Sequence, residues 1–210
     1  MKSPFVIAVD GPAASGKGMI ARALAARYDL PHLDTGMLYR SVALALLRWG
    51  GDPGSEFEAV RACKSGLVPV DDPELRSEIV GEVASRISAF PAVRAALLER
   101  QRDFAGRLSG AILDGRDMGT VIAPNATAKL FVTAAPEIRA RRRFDELARR
   151  GKSVHFAEVL TDILARDARD SERTAAPLLQ AADAALLDTG AMTVERAIAA
   201  AIALVDERLV

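Results

Sequence analysis

Residues 5–18 form the segment of this chain whose residue types point most directly to chemistry. Their apolar start predicts a buried strand, and residues 20–28 favour a helix. Between the two, Gly11 and Gly16 permit a tight loop whose backbone N–H groups face a bound anion, beside the positive end of the helix. Lys17 supplies a positive charge for the outer phosphates of that anion. We therefore interpret the segment as a phosphate-binding loop; the alternative is a glycine turn that binds nothing.

The loop lacks one common component. A Ser or Thr usually follows the lysine, and its hydroxyl group reaches the metal ion that accompanies the phosphates. Here Gly18 and Met19 follow Lys17. A metal ion must then be positioned by water and by a carboxylate from a distant part of the sequence.

Residues 34–40 suggest a second anion site close to the first. Asp34 and Thr35 follow a short apolar run, and Thr35 is a suitable N-cap for a helix over residues 35–49. Arg40 would lie early in that helix, and its planar guanidinium group binds phosphate oxygens in pairs. The alternative is an ordinary capped helix with a solvated arginine.

Residues 111–120 give the second strong signal. Asp114 ends a predicted buried strand, where open α/β sheets bind their ligands, and its carboxylate is suited to hold a hydrated Mg²⁺ against phosphates. Gly115 allows the backbone to turn, so that Arg116 and Asp117 point into the crevice. The alternative is a turn at the strand end with a local Arg–Asp pair.

Two charged stretches predict a mobile lid that brings cations to a phosphoryl group. Residues 139–152 are mainly basic and include Arg142 within a run of three arginines. Farther along, Arg166, Asp170 and Arg173 have a spacing that places them on one helical face. Helix-stabilising ion pairs are the alternative. A nucleic-acid-binding patch is disfavoured because aromatic residues make up only 5% of the chain and acidic residues interleave with the basic ones.

The pattern of apolar residues predicts the elements that position these side chains. Short apolar runs alternate with longer helical patterns, which is typical of a parallel sheet covered by helices. Strands are predicted over residues 5–9, 111–114, 128–132 and 184–187, with a short one near Leu33. Helices are predicted over residues 16–28, 35–49, 74–89, 92–108, 136–150, 154–169 and 193–209. The predicted fold class is α/β, a parallel sheet with helices on both faces and a mostly helical insertion before residue 108.

The composition of the chain disfavours several classes of protein. The chain has 210 residues, 28 basic and 28 acidic, so no overall charge attracts it to nucleic acid or to a membrane surface. The single cysteine, Cys63, excludes an internal disulfide and suits a reducing cytoplasm. We expect a cytoplasmic protein without a membrane span or nucleic-acid partner, acting as a monomer on small molecules.

Together these segments resemble the bacterial cytidylate kinases, a family of nucleoside monophosphate kinases. The resemblance covers nearly the whole chain and depends most on DGRDMGT at 114–120, AFPAVR at 89–94, and residues 166–173 followed by APL at 176–178. It implies transfer of the γ-phosphate of ATP, with Mg²⁺, to CMP or dCMP. It also implies one P-loop kinase domain over residues 1–210, with a nucleoside-monophosphate-binding insertion at about 55–108 and a lid at about 145–166.

The resemblance further implies roles for individual residues. The predicted ATP-binding residues are Gly11, Pro12, Ala13, Ala14, Ser15, Gly16, Lys17, Gly18 and Met19. The predicted CMP-binding residues are Thr35, Arg40, Ser85, Arg94, Arg116, Asp117, Arg166, Asp170 and Arg173. The predicted catalytic residues are Lys17, Arg116, Arg142 and Arg173, and Asp114 is the predicted metal site, acting through water.

Within the CMP set, the resemblance divides the roles by the part of the nucleotide that is bound. It gives the phosphate to Arg40, Arg116 and Arg173, the sugar hydroxyls to Arg166 and Asp170, and the cytosine ring to Ser85, Arg94 and Asp117. The last role makes chemical sense for Asp117, because its carboxylate accepts a hydrogen bond from the N4 amino group of cytosine. Uracil presents an acceptor there instead, and we expect it to be rejected.

The chain also departs from the family pattern, and other readings stay open. The family usually has Thr where Met19 stands, and the stretch from Gly66 to Leu75 is shorter than in long members, so a strand pair found there is expected to be absent. The alternatives are a kinase of the same architecture that acts on UMP, AMP or another small molecule, and a nucleotide-binding module without catalysis. Asp117 and Arg94 distinguish the first from a CMP kinase.

Overall fold

Five short apolar segments form one parallel sheet in this structure, a computed structural model that describes residues 4–209. The strands are β1 (Val6–Asp10), β2 (His32–Asp34), β3 (Ala111–Gly115), β4 (Ala128–Thr133) and β5 (Ala185–Asp188). They pair in the order β2-β3-β1-β4-β5, and every pair is parallel. The predicted strands agree with these to within about one residue at each end, and the predicted α/β fold class is confirmed.

The helices follow the predicted pattern with two differences. They are α1 (Lys17–Tyr28), α2 (Thr35–Arg48), α3 (Glu56–Lys64), α4 (Glu78–Ile87), α5 (Pro91–Ala105), α6 (Pro136–Arg149), α7 (Phe156–Glu172) and α8 (Val194–Asp206). The single helix predicted over residues 74–89 is divided into a 3₁₀ turn, Pro73–Arg76, and α4, because the side chain of Ser77 accepts a hydrogen bond from the Val80 N–H and starts a new helix. Helix α3, capped in the same way by Ser55, lies in the predicted helical insertion but was not placed by the sequence.

Both faces of the sheet are covered, because the side chains of β1 alternate between them. Ile7 and Val9 pack in a cluster that includes residues of α1 and α8, and Val6 and Ala8 pack in another that includes Ala105 of α5. All four strand residues are buried, as expected for a parallel strand between two helical layers.

Two regions outside the sheet have apolar clusters of their own. Helices α2 to α5 enclose one cluster, which includes Val42, Leu75 and Ile87. Helices α6 and α7 pack together around another, which includes Leu147 and Ile163. Between Lys64 and Pro73 the structure contains no strand, in agreement with the expected absence of a strand pair.

The carboxyl ends of three neighbouring strands meet at one edge of the sheet. Asp34 of β2 lies opposite Asp114 of β3, and Asp10 of β1 lies opposite Gly115. The phosphate-binding loop follows β1 at the same edge, so the segments singled out by the sequence converge there. Within residues 4–209 no helix combines the length and the hydrophobicity that a membrane-spanning segment requires.

Candidate functional site

The loop between β1 and α1 has a backbone that only certain residues can adopt. Gly11 has φ 150°, and a Cβ atom there would lie 2.0 Å from the carbonyl oxygen of Val132. Gly16 has φ 91°, in the left-handed region, and Ala14 also lies there with φ 58°. The turn ends at Lys17, the first residue of α1, where the leading N–H groups of a helix have no partner within the helix. This local geometry provides an anion-binding loop.

The environment of Lys17 favours loss of its proton. Burial lowers the pKa of the ammonium group to about 8, and the nearby Arg116 guanidinium adds to the effect. The Asp114 and Asp34 carboxylates act in the opposite direction. A bound phosphate would restore the charge on Lys17, since an anion favours the protonated form.

Asp34, Thr35 and Asp114 form a connected group beside the loop. Asp34, and not the predicted Thr35, is the N-cap of α2: its side chain accepts a hydrogen bond from the Met37 N–H at 3.2 Å. The Thr35 hydroxyl instead donates to the backbone carbonyl of Asp114 at 2.8 Å and ties α2 to the end of β3. That bond is the physical reason for the shift of the cap by one residue.

The carboxylate of Asp114 reaches the phosphate-binding loop. Its Oδ2 atom lies 2.9 Å from Nε2 of His32 and would lie 3.4 Å from a Cβ atom placed on Gly18. Burial raises the pKa of the neighbouring Asp34, and the charge of Asp114 raises it further. Two carboxylates and water are a donor set that suits Mg²⁺, which is usually held by one or two carboxylates together with substrate phosphates. Within residues 4–209 no group of three or more His, Cys, Asp and Glu side chains could hold a metal ion without such help.

A cavity of about 430 Å³ joins the loop to the segments that follow β2 and β3. The predicted residues that line it are Ala13, Ala14, Lys17, Thr35, Arg40, Ser85, Arg94, Asp114, Arg116, Asp117, Arg166, Asp170 and Arg173. The structure thus brings every residue of the predicted CMP-binding set to one cavity, although they come from widely separated parts of the sequence. Cavities of this volume hold small-molecule ligands.

Arginines hold one buried carboxylate in the cavity wall. Asp117 forms an ion pair with Arg94, and Nη2 of Arg173 lies 3.6 Å from its other oxygen. Arg94 also donates to the carbonyl of Ser88 at 3.3 Å, and its guanidinium lies over the Tyr39 ring. The Asp117 carboxylate is therefore fixed in direction, while its remaining lone pairs can accept a further hydrogen bond from a ligand.

Two further arginines in the cavity wall, Arg116 and Arg166, lie near a second carboxylate, Asp170. Nε of Arg116 donates to Asp170 at 2.6 Å, and this charge lowers the pKa of Asp170 although burial alone would raise it. Arg166 has no acceptor for its Nε–H among residues 4–209, and burial together with repulsion from Arg116 lowers its pKa to about 10. A bound anion would form charge-assisted hydrogen bonds with this guanidinium group and stabilise its charge.

Arg40 of α2 and Ser85 of the helical insertion form a further part of the wall. Arg40 donates to the carbonyls of Leu75 at 2.7 Å and Ser77 at 3.1 Å, and burial lowers the pKa of its guanidinium. Ser85 of α4 is buried, and its hydroxyl accepts a hydrogen bond from Nε of Arg169 at 3.4 Å. This contact joins α4 to α7 across the cavity.

Arg142, which the sequence analysis predicts to be catalytic, lies outside the cavity in this structure. Its guanidinium donates to the hydroxyl and the carbonyl oxygen of Thr189, at 3.0 and 2.6 Å, and it does not line the cavity. Arg143 does line it, in ion pairs with Glu78 of α4 and Glu146. The reason is helical phase: Arg143 lies one turn from Arg139 and one turn from Leu147, both of which are buried.

Sequence reasoning missed several residues around the cavity. Tyr39, Arg143 and Arg169 line it, and His32 contacts Asp114. Tyr39 stands next to Arg40 in an apolar stretch and gave no polar signal. The phase of α6 could have identified Arg143.

The sequence is similar to that of known proteins over nearly its whole length. The model of the cytidylate kinase family matches residues 7–207. Two curated relatives described as cytidylate kinases, from Brucella suis biovar 1 and Brucella melitensis biotype 1, are each 52% identical over 208 residues, which covers 99% of this chain and 95% of the relative.

Solved structures share the fold at low sequence identity. An uncharacterized protein from Eubacterium ventriosum has a TM-score of 0.58 and 17% identity, with 98% of this chain and 99% of that chain covered. A gluconokinase from Sinorhizobium meliloti has a TM-score of 0.51 and 17% identity, with 99% and 94% covered. These likenesses show a common fold and no more.

Proposed function

The chain belongs to the cytidylate kinase family, and we propose that it transfers the γ-phosphate of ATP directly to CMP or dCMP, with both nucleotides held in the one cavity. Phosphotransferase activity on CMP is supported by 52% identity over nearly the whole chain. The observation that carries the proposal is that two different groups line this one cavity. One is Lys17 of the phosphate-binding loop, and the other is the arginine-held carboxylate of Asp117.

The donor end is suited to the phosphates of ATP. The nine predicted residues from Gly11 to Met19 would supply the Lys17 ammonium group and, except at Pro12, backbone N–H groups, and the segment includes the N-terminus of α1. Asp114 and Asp34 would hold Mg²⁺ through water beside these phosphates. When bound, Mg²⁺ would neutralise charge on the phosphate oxygens.

The acceptor end is suited to a cytidine monophosphate. Arg40, Arg116 and Arg173 would bind its phosphate, since guanidinium groups match phosphate oxygens in pairs. The ribose hydroxyls would meet Arg166 and Asp170. The existing Arg116–Asp170 ion pair supports a shared site for phosphate and sugar, because it places their proposed partners side by side.

Recognition of the base depends on a difference in hydrogen bonding. Asp117 would accept from the N4 amino group of cytosine, with Arg94 donating to the ring acceptors and Ser85 beside them. Uracil would turn an oxygen toward the Asp117 carboxylate, and two acceptors facing each other in a buried site are strongly unfavourable. The fixed direction of Asp117 supports this selectivity.

The transfer itself needs alignment and charge stabilisation. The phosphate of CMP is already an anion at neutral pH, so no general base is required. Lys17, Arg116 and Arg173 would stabilise negative charge on the moving group. Of the arginines on α6, Arg143 is the one whose place in the cavity wall supports such a role, while Arg142 would first have to leave Thr189.

We also propose which region of the chain performs each of these functions. The region at about 55–108 would bind the monophosphate, and the region at about 145–166 would act as the lid. The product, CDP or dCDP, would enter pyrimidine nucleotide metabolism in the cytoplasm, which suits a chain with a single cysteine. The proposed acting unit is a monomer.

A side-by-side assay of acceptors tests this proposal. ADP formation is measured with ATP and equal concentrations of CMP, dCMP, UMP or AMP. We expect rapid turnover with CMP and dCMP and little with the others. Equal or faster turnover with UMP or AMP would favour a related kinase, and no turnover with any acceptor would favour a nucleotide-binding module.

A further inference from the structure

Asp10 is a buried carboxylate that the proposed reaction does not use. It is the last residue of β1, directly before the phosphate-binding loop, and only 4% of it is exposed. Its two oxygens accept hydrogen bonds from consecutive backbone N–H groups, Oδ1 from Met118 and Oδ2 from Gly119, each at 2.8 Å. Each oxygen of this one side chain therefore holds one of two successive peptide groups.

These bonds fix the backbone next to Asp117. The peptide group that Oδ1 holds joins Asp117 to Met118, and the carbonyl of Asp117 in turn accepts from the N–H groups of Val121 and Ile122, at 2.9 and 3.1 Å. The result is a single π-helical turn, Met118–Ile122. Asp117 is thus held twice, through its backbone by this turn and through its carboxylate by arginines.

The tight fit around Asp10 favours such a role over a role in general packing. A Cβ atom on Gly119 would lie 3.1 Å from Cδ of Lys129 and 3.4 Å from Oδ2 of Asp10, so the glycine allows the approach. Among residues 4–209, Asp10 forms no ion pair, and burial raises its pKa to about 6. A buried carboxylate without a cation is unfavourable for folding by itself, and its compensation here comes from the two N–H groups.

We propose that Asp10 is a positioning residue for recognition of the acceptor: it sets the backbone that carries Asp117 and so links the start of the donor loop to the base-binding end of the cavity. The inference rests on the proposed function, because it explains what orients Asp117, the residue proposed to recognise the base. Asp10 itself does not line the cavity.

The variant Asp10→Asn tests the inference with little change in size. An asparagine side chain can accept only one of the two bonds, and its NH₂ group would face the other N–H. We expect the Kd for CMP, measured by calorimetry without ATP, to rise about five- to tenfold, the fold-change of one lost buried hydrogen bond. The preference for CMP over UMP in kcat/KM should fall several-fold, and the Kd for a non-hydrolysable ATP analogue should change less than about twofold.

A control variant and a double variant distinguish a positioning role for Asp10 from a general loss of stability. Val205→Ala creates a gap in the buried face of α8, and we expect it to lower stability while CMP affinity and the CMP preference stay as in the parent chain. In the double variant with Asp117→Asn, the Asp10→Asn change should cause little further loss of preference, because both act through one side chain. If Asp10→Asn folds poorly, Asp10→Ser, whose hydroxyl can accept from one N–H, replaces it.

The inference is overturned if Asp10→Asn keeps the parent affinity for CMP and the parent preference over UMP. It is also overturned if CMP and ATP affinities weaken equally, since Asp10 would then serve the whole fold or the donor loop. Failure of the parent chain to phosphorylate CMP would instead contradict the proposed function, so the two failures are distinguishable.

Discussion

At the scale of single residues, the burial of Lys17 should make ATP binding depend on pH. Its pKa, lowered to about 8 by burial, leaves the side chain charged below that pH and neutral above it. A neutral amine cannot attract the phosphates of ATP. We expect kcat/KM for ATP, which reports the free enzyme, to fall as pH rises from 7 to 9, with a midpoint near 8.

Lys17→Arg gives a matched control for this pH dependence. Arginine stays protonated throughout the range, so the fall near pH 8 should disappear even though the variant is slower overall. An unchanged pH profile in Lys17→Arg would assign the titration to another group.

Asp117 offers the sharpest test of selectivity at this scale. In Asp117→Asn, an amide that can donate or accept replaces a carboxylate that only accepts. We expect kcat/KM for CMP to fall and that for UMP to rise, so that their ratio drops at least about tenfold, in line with the loss of one discriminating buried hydrogen bond. A ratio equal to that of the parent chain would remove Asp117 from base recognition.

At the scale of elements, Arg139 docks α6 and α7 onto the phosphate-binding loop. Its guanidinium donates to the carbonyls of Ala134 and Ala13, at 2.8 and 3.2 Å, and binds both oxygens of Asp167 on α7. Asp167 stands next to Arg166 in sequence, so this buried pair also places the basic face of α7 over the cavity.

Loss of that contact should lower the stability of the fold. Arg139→Met keeps much of the side-chain length but leaves the Asp167 carboxylate without its cation, and we expect the free energy of unfolding to fall by about 3 kcal/mol in urea titrations. Arg149→Met, on the exposed end of the same helix, is the control and should change it by less than about 0.5 kcal/mol. Equal effects of the two substitutions would contradict a docking role for Arg139.

Most elements could be predicted from the sequence, but some of the contacts that position the site could not. The strands and long helices were predictable because their apolar periodicity is strong and Pro136 and Thr193 mark helix starts. Asp34 and Thr35 are both good caps, and only the tertiary bond from Thr35 to the Asp114 carbonyl decides between them. The three adjacent arginines could have been distinguished by helical phase, which places Arg143 at the cavity and leaves Arg142 to donate to Thr189.

At the scale of the whole molecule, several distant elements meet at one cavity. The sheet edge contributes Asp114 and Asp117, α2 contributes Arg40, the helical insertion contributes Ser85, and α7 contributes Arg166. No local pattern predicts this convergence: it follows from parallel strands, which bring their carboxyl ends to a common edge. A motif resemblance could name the residues of the site, but the roles of Asp10 and Arg139 appeared only when their contacts were known.

Because the site is shared between layers, ligands should stabilise the whole fold. At a concentration of about 100 times its Kd, CMP adds about 2.7 kcal/mol to stability, and we expect the melting temperature to rise by roughly 5 to 10 °C. UMP at the same concentration should raise it by less than about 2 °C. A larger rise with UMP than with CMP would contradict the proposed base selectivity.

Direct transfer between two nucleotides is tested most sharply by following the phosphate itself. The chain is mixed with ATP labelled at the γ-phosphate and with CMP, the reaction is stopped within one turnover, and nucleotides and protein are separated. We predict that the label moves from ATP to CDP with none retained on the protein, and that Lys17→Ala slows this step by orders of magnitude. Label found on the protein, or released as inorganic phosphate while CMP stays unchanged, would contradict a cavity that holds donor and acceptor together.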